Sequence, residues 1–424
     1  MRSALKNVSG FTLAPLLVSI SAMVAVPILL GVAGQAVWLS IALGQALGEL
    51  ARVVVIWGWN SVGLARASAL EDGARPGFYL DSIPPRLLLC LPAAGAIALA
   101  TALIPTASPI DFALMASAGM VNGLNGAWIY ISAHDPRGLL RYDALPRTIV
   151  PLFGVAALAL HPEAWLYSTA VLTSNVVAAV IPVVVMRRRL ARAGVAYAHP
   201  TFTQALTELR AGFSAFVIGL VLVARMSLPV LAAGIASEGI GVVVALADKF
   251  IRWGNRALTP FLQFMQTSIP RGTSPLAMRI RRGVLRTIVL SVVTTIGSAI
   301  VTWSLSPVIS AGEITLSPVE STAVGVVLGA IAFNSITGNS SLVLLGRTRS
   351  VAAGGTAALI TLACAAYPLT ALLGAAGLLL AYAAAEVCIT VYLCVLLVVE
   401  MRALKRRNLS SALATAAPSP TDGT

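Results

Sequence analysis

The sequence is made of long, continuous apolar runs separated by short polar connections. Each run approaches or exceeds the roughly 20 residues with which an α-helix crosses a bilayer core. Apolar residues fill each run instead of alternating with polar ones, which favours helices over the strands of a membrane β-barrel. The pattern predicts an all-α polytopic membrane protein with twelve transmembrane helices, at residues 11–32, 37–63, 81–104, 110–132, 145–160, 164–186, 212–233, 239–268, 285–306, 319–345, 351–371 and 374–399.

Composition narrows the class of protein further. Of the 424 residues, 58% are hydrophobic and 11% are charged, whereas soluble proteins carry about 25% charged residues. Together with a mean hydropathy of +0.89, this excludes a water-soluble enzyme. The four cysteines lie in apolar runs without the paired spacing of a metal site, so we predict neither a metal nor a cofactor.

The net charge of +13 comes mainly from the connections between the runs. Successive connections lie on alternate sides of the membrane, and this alternation places 24 of the 29 Lys and Arg residues on one side. The charged residues of the opposite connections are all acidic: Asp111, Glu163, Glu238, Glu313 and Glu320. Because Lys and Arg in short loops stay in the cytoplasm, both termini are predicted to be cytoplasmic. The positive charge thus reflects topology, and we predict no nucleic-acid partner.

The longest polar connection, residues 187–211, divides the runs into two sets of six. Equal helix counts are typical of transporters built from two parallel repeats. We therefore expect an N-terminal lobe of residues 1–190, a cytoplasmic linker of 191–211 and a C-terminal lobe of 212–400. The remaining residues, 401–424, are rich in Ala, Ser, Thr and Pro, which predicts a disordered cytoplasmic tail.

Eight charged residues remain inside the predicted helices when those near the helix ends are counted with the connections. A charged residue at a helix centre costs about 2.5–3.5 kcal/mol, so such residues usually face a bundle interior or a wet cavity. Five basic residues against three acidic ones leave an excess of two positive charges, which suits an anionic ligand. The basic residues are Arg52, Arg225, Lys249, Arg252 and Arg256, and the acidic ones are Glu49, Asp248 and Glu386.

The predicted helix at 239–268 carries a polar stripe along its whole length. Steps of three and four residues, which stack side chains on one helical face, connect Lys249, Arg252, Arg256, Thr259, Gln263 and Gln266. Neither lipid nor a closed interface would satisfy so many polar groups, so the stripe is expected to line a hydrated passage. In the second helix the same spacing places Glu49, Arg52 and Asn60 on one face.

A simpler interpretation exists for two of the cations. Glu49 lies three residues before Arg52, and Asp248 lies four before Arg252, so each pair can satisfy itself within one helix. No acidic residue shares a face with the other three cations, Lys249, Arg256 and Arg225.

Other polar residues within the helices allow two roles each. Asn122 and Asn125 are candidates for binding sugar hydroxyls, although interhelical hydrogen bonds are the commoner role of such residues. Glu386 either partners a cation from another helix or carries a proton, and the sequence leaves both roles open.

Short motifs in both halves resemble the O-antigen and capsule polysaccharide flippases of the multidrug/oligosaccharidyl-lipid/polysaccharide exporter superfamily. The Gly-aromatic-Asn and Gly-x-Arg pattern of that family is resembled by Gly58, Trp59, Asn60, Gly63 and Arg66, although two residues instead of one separate Gly63 from Arg66. Its eighth helix is similar at Asp248, Lys249, Pro260, Gln263, Pro270 and Arg271. The end of its fourth helix is matched at Trp128 and Tyr130, whereas Ser132, Ala133 and His134 depart from the usual glutamine and glycine.

The resemblance implies a MATE-like, V-shaped bundle of two pseudo-symmetric six-helix lobes. Such a protein moves an undecaprenyl-diphosphate-linked oligosaccharide from the inner to the outer leaflet of the bacterial inner membrane by alternating access. The five intramembrane cations are then expected to bind the diphosphate, with Asn60, Gln263 and Gln266 as cavity or sugar contacts. The acidic residues are the candidates for ion coupling, namely Glu49, Asp248 and Glu386.

The same resemblance implies a monomeric, non-enzymatic protein. Its partners would be membrane lipids, the lipid-linked oligosaccharide, and the polysaccharide polymerase and glycosyltransferases that share this carrier.

Three other functions compete with this one. A multidrug exporter of the same superfamily would present acids, not surplus cations, to cationic drugs. A lipid-linked peptidoglycan precursor flippase handles the same diphosphate but usually has fourteen helices. A membrane glycosyltransferase or polymerase usually needs a sizeable domain outside the bilayer, and the predicted outer loops are only a few residues long.

Overall fold

The computed structural model describes the backbone of residues 2–198, 200–268 and 276–416. Within these ranges the regular structure is helical, and its longer helices are α1 (Arg2–Ile56), α4 (Ile83–Leu103), α5 (Pro109–Asn122), α8 (Leu145–Leu160), α9 (Trp165–Arg192), α10 (Phe202–Ala236), α11 (Glu238–Ser268), α12 (Leu276–Ile309), α13 (Pro318–Ile336) and α14 (Thr348–Ala416). The short helices are α2 (Leu64–Ser68), α3 (Arg75–Asp81), α6 (Ala127–Ser132) and α7 (Pro136–Leu139), with π-helical turns at Trp59–Gly63, Leu140–Ala144 and Thr337–Leu342.

Eight helical stretches of the described chain are long and apolar enough to cross a membrane. Two of them, Leu13–Ile56 and Arg349–Ala403, contain 44 and 55 residues, far more than the roughly 20 residues of one crossing. Each is interrupted by a glycine with non-helical backbone angles: Gly34 (φ 79°, ψ 170°) and Gly374 (φ 60°, ψ −134°). Both interruptions lie at the predicted boundaries between apolar runs. The chain is a multi-pass membrane protein.

Several predicted boundaries differ from the observed ones. The second apolar run was expected to continue to residue 63, but α1 ends at Ile56 because Trp57 and Gly58 take left-handed angles, with φ of 44° and 81°. The middle connection is shorter than expected, since α10 already begins after Thr201, whose side chain caps the helix with Gln204. The last helix has helical backbone up to Ala416, where composition predicts disorder; its Leu, Ala, Lys and Arg residues are good helix formers.

Small residues allow α1 and α5 to pack at very close range. A Cβ atom added to Gly119 would lie 2.4 Å from the carbonyl carbon of Gly48, and one on Gly44 would lie 2.4 Å from the Phe112 carbonyl oxygen. Small residues at crossings are the usual way for membrane helices to gain packing contacts. The crossing brings the polar face of α1 around Glu49 next to Asn122 of α5, where both border a cavity.

The helices contact one another in two sets that meet at α1. Helices α1, α5, α8 and α9 pack together, as do α10 to α14, and α1 also packs against α10 and α11. The largest cluster of buried apolar side chains runs across this meeting, from Leu29 and Trp38 of α1 to Leu246 of α11 and Tyr382 of α14. The polar face of α11 is thereby held against α1 in the middle of the molecule.

Candidate anion-binding site

A polar cavity of about 160 Å³ lies among α1, α5, α8, α9 and α11. Its polar lining consists of Gln45, Glu49, Asn122, Arg147, Asn175, Asp248, Lys249, Arg252 and Arg256. Four cations against two carboxylates give the lining a formal excess of two positive charges. Such an excess inside an apolar protein favours an anionic ligand, since screening is weak away from bulk water.

One face of α11 supplies most of these charges. Residues 248, 249, 252, 253 and 256 all line the cavity, which is the three-and-four spacing that the sequence predicts for this helix. Further along, the Thr259 hydroxyl donates to the backbone carbonyl oxygen of Asn255 at 2.9 Å, outside the lining. The side chains of Gln263 and Gln266 lie outside the described residues.

Two carboxylates are paired with arginines of their own helix. Arg52 Nε lies 2.8 Å from Glu49 Oε2, and Arg252 Nε lies 2.7 Å from Asp248 Oδ2. The self-contained pairs that the spacing allows are therefore formed. Arg252 nevertheless borders the cavity, and its Nη2 lies 3.4 Å from the Ser227 hydroxyl on α10. Arg52 lies beside Glu49 and is not part of the lining.

In the part of the chain that the structure describes, two other cations of the cavity contact neutral groups. The Lys249 ammonium donates to the Gln45 amide oxygen on α1, and Arg256 Nη1 donates to the Ser19 hydroxyl at 3.2 Å. Among the described residues, no carboxylate lies within ion-pair distance of either one. A hydrogen bond to an amide or hydroxyl orients a cation without neutralising it. Lys249 and Arg256 are thus the groups that an incoming anion would neutralise.

Sequence reasoning missed two lining residues, Arg147 and Gln45. Arg147, near the start of the predicted helix 145–160, is one of the 24 basic residues counted on the cytoplasmic side. In the structure the π-helical turn Leu140–Ala144 continues directly into α8 and carries Arg147 to the cavity. Its Nη1 lies 3.5 Å from Asp143 Oδ2, one turn earlier. Gln45 is uncharged, so a search for charged residues within the helices does not find it, although its position four residues before Glu49 places it on the same face. Arg147 is the more important of the two for binding an anion, because it adds a positive charge that faces the α11 cations from another helix.

The structure places the asparagine candidates at different distances from the cavity. Asn122 lines the cavity, and Asn125 stands behind it, donating to the Asn122 amide oxygen at 2.8 Å. Asn60 is exposed on the π-helical turn after α1 and does not reach the cavity.

Arg225 lies apart from the cavity, in a second buried polar cluster. Its Nε is 2.9 Å from Glu386 Oε1 on α14, close enough for an ion pair although not aligned as a hydrogen bond. Asn334 of α13 donates to Glu386 Oε2 at 3.4 Å and accepts from the Thr390 hydroxyl at 2.9 Å. Of the two roles left open for Glu386, the structure shows that of partner to a cation.

The described residues hold no group of three or more His, Cys, Asp or Glu side chains arranged to bind a metal ion. The four cysteines are free thiols.

Comparison with known proteins rests on structure alone. No family model and no curated protein matches the sequence. The fold is similar to that of the lipid II flippase MurJ in an inward closed conformation, with a TM-score of 0.69 and 12% identity over 98% of this chain and 93% of the other.

Two MATE transporters show the same similarity of fold at a lower TM-score. An inward-facing MATE family transporter of the MOP superfamily gives a TM-score of 0.54 at 13% identity, covering 92% of this chain and 99% of the other. The eukaryotic MATE transporter AtDTX14 gives 0.51 at 13% identity, covering 95% and 98%. Because identity is this low, the similarity concerns the fold, and the chain has the fold shared by the MurJ flippase and the MATE transporters.

Proposed function

We propose that this protein is a flippase of the multidrug/oligosaccharidyl-lipid/polysaccharide exporter superfamily, acting on an undecaprenyl-diphosphate-linked oligosaccharide for surface polysaccharide assembly. It would cross the bacterial inner membrane twelve times, with both termini in the cytoplasm, and move its substrate from the inner to the outer leaflet. The observation that carries the proposal is the cavity with surplus cations, two of which have no carboxylate partner among the described residues.

The chemistry of a lipid-linked sugar diphosphate fits the lining of this cavity. Arginine binds phosphate oxygens in a bidentate manner, and Arg252 and Arg256 of α11 stand with Lys249 on one face. Arg147 of α8 offers a cation from the other set of helices. The amides of Asn122 and Asn175 are available for sugar hydroxyls.

The size of the cavity implies that the protein must open to bind such a substrate. Its volume of about 160 Å³ is below the roughly 300–1,000 Å³ of pockets that hold drug-sized ligands. We infer that the cavity widens when residues 1–190 rock against residues 212–400, the usual motion of transporters built from repeats. The acidic residues proposed to couple this motion to an ion are Glu49, Asp248 and Glu386.

A second candidate is a flippase for the lipid-linked peptidoglycan precursor. The similarity to a structure named as a lipid II flippase favours it, and the two lipids share the diphosphate that the cations would bind. Export of cationic drugs is disfavoured by the positive excess in the cavity, which repels like charge.

The direct test is binding of lipid to the purified protein in nanodiscs. The probes are undecaprenyl-diphosphate-linked oligosaccharide, lipid II and a cationic dye. Arg252→Gln with Arg256→Gln should weaken binding of both diphosphate lipids by about 100-fold or more, because hydrogen bonds to charged groups contribute about 1.5–3 kcal/mol each. The matched control is Arg349→Gln, which changes an exposed arginine at the start of α14.

The outcomes separate the candidate functions. Unchanged affinity for both diphosphate lipids in the double variant contradicts the anion site. Tight binding of lipid II with weak binding of the oligosaccharide lipid assigns the second candidate, and binding of the dye alone assigns drug export.

A further inference from the structure

We propose that the segment Trp57–Arg66 after α1 and the segment Glu208–Phe216 of α10 form a separable latch that closes the cavity towards the cytoplasm. This inference rests on the topology in the proposed function. The two segments come from the two sets of helices that are expected to move apart. Glu49 borders the cavity and Trp57 is eight residues further along, so the latch lies about 12 Å below the cavity at 1.5 Å per residue.

The centre of the latch is an aromatic contact reinforced by one hydrogen bond. The rings of Trp57 and Phe216 are stacked, with centroids 3.9 Å apart and planes 10° from parallel. The Trp57 indole Nε1 donates to the backbone carbonyl oxygen of Leu209 at 2.6 Å. Phe213 adds a tilted contact, with its ring centroid 6.2 Å from that of Trp57. A single side chain therefore contacts two turns of α10.

The backbone of this segment is shaped to make that contact. Trp57 has a φ of 44°, which is a strained conformation for a bulky residue, and Gly58 follows with a φ of 81°. The two residues end α1 and turn the chain towards α10. A Cβ atom on Gly58 would lie 2.6 Å from the Ala215 Cβ, and one on Gly212 would lie 2.9 Å from the Trp57 carbonyl oxygen. Glycine on both sides is thus required for the close approach. Strain of this kind persists where the surrounding contacts hold it, and it is common at switch regions.

An ion pair at the solvent edge joins the same two segments. The Arg66 guanidinium contacts Glu208 with both terminal nitrogens, at 2.5 and 3.1 Å. The side chains are 45% and 32% exposed, and exposed pairs of this kind contribute little to stability. The pair sets the register of the latch without locking it.

The contacts of the latch are of a kind that can separate, unlike the other close contact of α1. At the crossing with α5, Gly48 and Gly119 interlock backbone to backbone, and no side-chain motion would release them. The latch instead consists of the ring contacts of Trp57, one hydrogen bond and one exposed ion pair, together with the close approach of the chains at Gly58 and Gly212. The contacts of the latch are thus of a kind that rocking can break, although α1 also packs against α10 outside the latch, where Gly234 lies against Leu43.

The test measures access to the cavity by chemical labelling. Ala118, which lines the cavity, is replaced by cysteine in a protein whose four native cysteines are changed to serine. A membrane-impermeant maleimide is then applied to inside-out or right-side-out vesicles. Loss of one stacked ring pair and one hydrogen bond in Trp57→Ala should raise labelling from the cytoplasmic face by about tenfold. Trp57→Phe, which keeps a ring, should give a smaller increase.

The ion pair supplies a matched set of variants. Glu208→Arg should raise cytoplasmic labelling by up to about fivefold, and combining it with Arg66→Glu should restore the original rate. The control is Asp72→Arg, which breaks an ion pair of 2.5 Å with Arg75 within one segment of the same region. That variant should leave labelling unchanged.

Two results would overturn the latch. The first is a Trp57→Ala protein labelled from the cytoplasmic face at the original rate. The second is labelling that rises equally from both faces, since that shows general loosening of the fold. The assay contains no lipid-linked sugar, so absence of substrate binding would contradict the proposed function and leave this result intact.

Discussion

The buried ion pair between Arg225 and Glu386 allows the sharpest prediction about stability. The Glu386 side chain is fully buried and that of Arg225 is 7% exposed. Replacing Glu386 with glutamine keeps the size of the side chain and the possibility of a bond with Asn334 but removes the negative charge. Arg225 is then left as an uncompensated buried cation, and removing one partner of a buried pair costs about 3–5 kcal/mol. We expect Glu386→Gln to be among the most destabilising single changes in α14.

The measurement is thermal unfolding of purified protein in detergent, completed as a double-mutant cycle. Arg225→Gln should also destabilise, and the double variant should lose much less than the two single losses combined because neither charge remains unpaired. The control is Glu400→Gln, which breaks an ion pair of 2.7 Å with Arg347. The Glu400 side chain is 14% exposed and that of Arg347 is 48% exposed, so the arginine left behind is solvated and the loss should be about 1 kcal/mol. Contacting residues show coupling of about 0.5–3 kcal/mol. Losses that add within the error, or a Glu386→Gln protein as stable as the control, would refute the argument.

Further predictions concern the kinks, the helix crossing and the topology. Gly34→Ala should destabilise the protein by about 1–2 kcal/mol in thermal unfolding, because a side chain has space there but the backbone φ of 79° disfavours it. The control is Gly31→Ala, which also has space for a side chain but lies in regular helix, and it should be neutral or slightly stabilising. Gly119→Ala should lower the melting temperature through a clash of about 1–3 kcal/mol with α1, and Gly95→Ala, which has open space, should not. A cysteine at Glu163 should react with an impermeant maleimide added to intact cells, and its labelling only from inside would contradict the proposed topology.

The helical architecture was largely predictable because the bilayer imposes a strong rule on sequence. A crossing helix must be apolar over most of its length, so hydropathy predicted the helical class and came close to both glycine breaks, at Gly34 and Gly374. The number twelve is not confirmed, since eight helical stretches of the described chain are long and apolar enough to cross. The exact ends of the helices were harder to predict from the sequence. Trp57 is an apolar residue, and nothing in its chemistry shows that contact with α10 forces it into a left-handed turn.

The candidate site was predictable where one helix carries it and unpredictable where helices meet. The spacing of Lys249, Arg252 and Arg256 is a property of α11 alone, and these residues do line one cavity. The contributions of Arg147 and Gln45 depend on how α8 and α1 pack against α11. Likewise, Arg225 and Glu386 lie far apart in sequence, and only the packing of α10 against α14 makes them an ion pair.

The arrangement of the ion pairs bears on how transport would be driven. Glu49 with Arg52, and Asp248 with Arg252, each pair within one helix, so rigid movement of the helices leaves both pairs intact. The positive excess of the cavity then persists in every state and attracts an anion from either side. Rocking alone therefore does not change these pairs, and the proposed coupling through Glu49 and Asp248 requires an ion or a proton to bind the carboxylate. The Arg225–Glu386 pair joins two helices of the same set, so it too would survive rocking of one set against the other.

The contacts that rocking must change are those of α1 with α10 and α11, among them Lys249 with Gln45, Arg256 with Ser19, and the latch. An anion that draws Lys249 and Arg256 away from these neutral partners would therefore link binding to the motion, and variants of Gln45 and Ser19 should alter transport rate more than affinity.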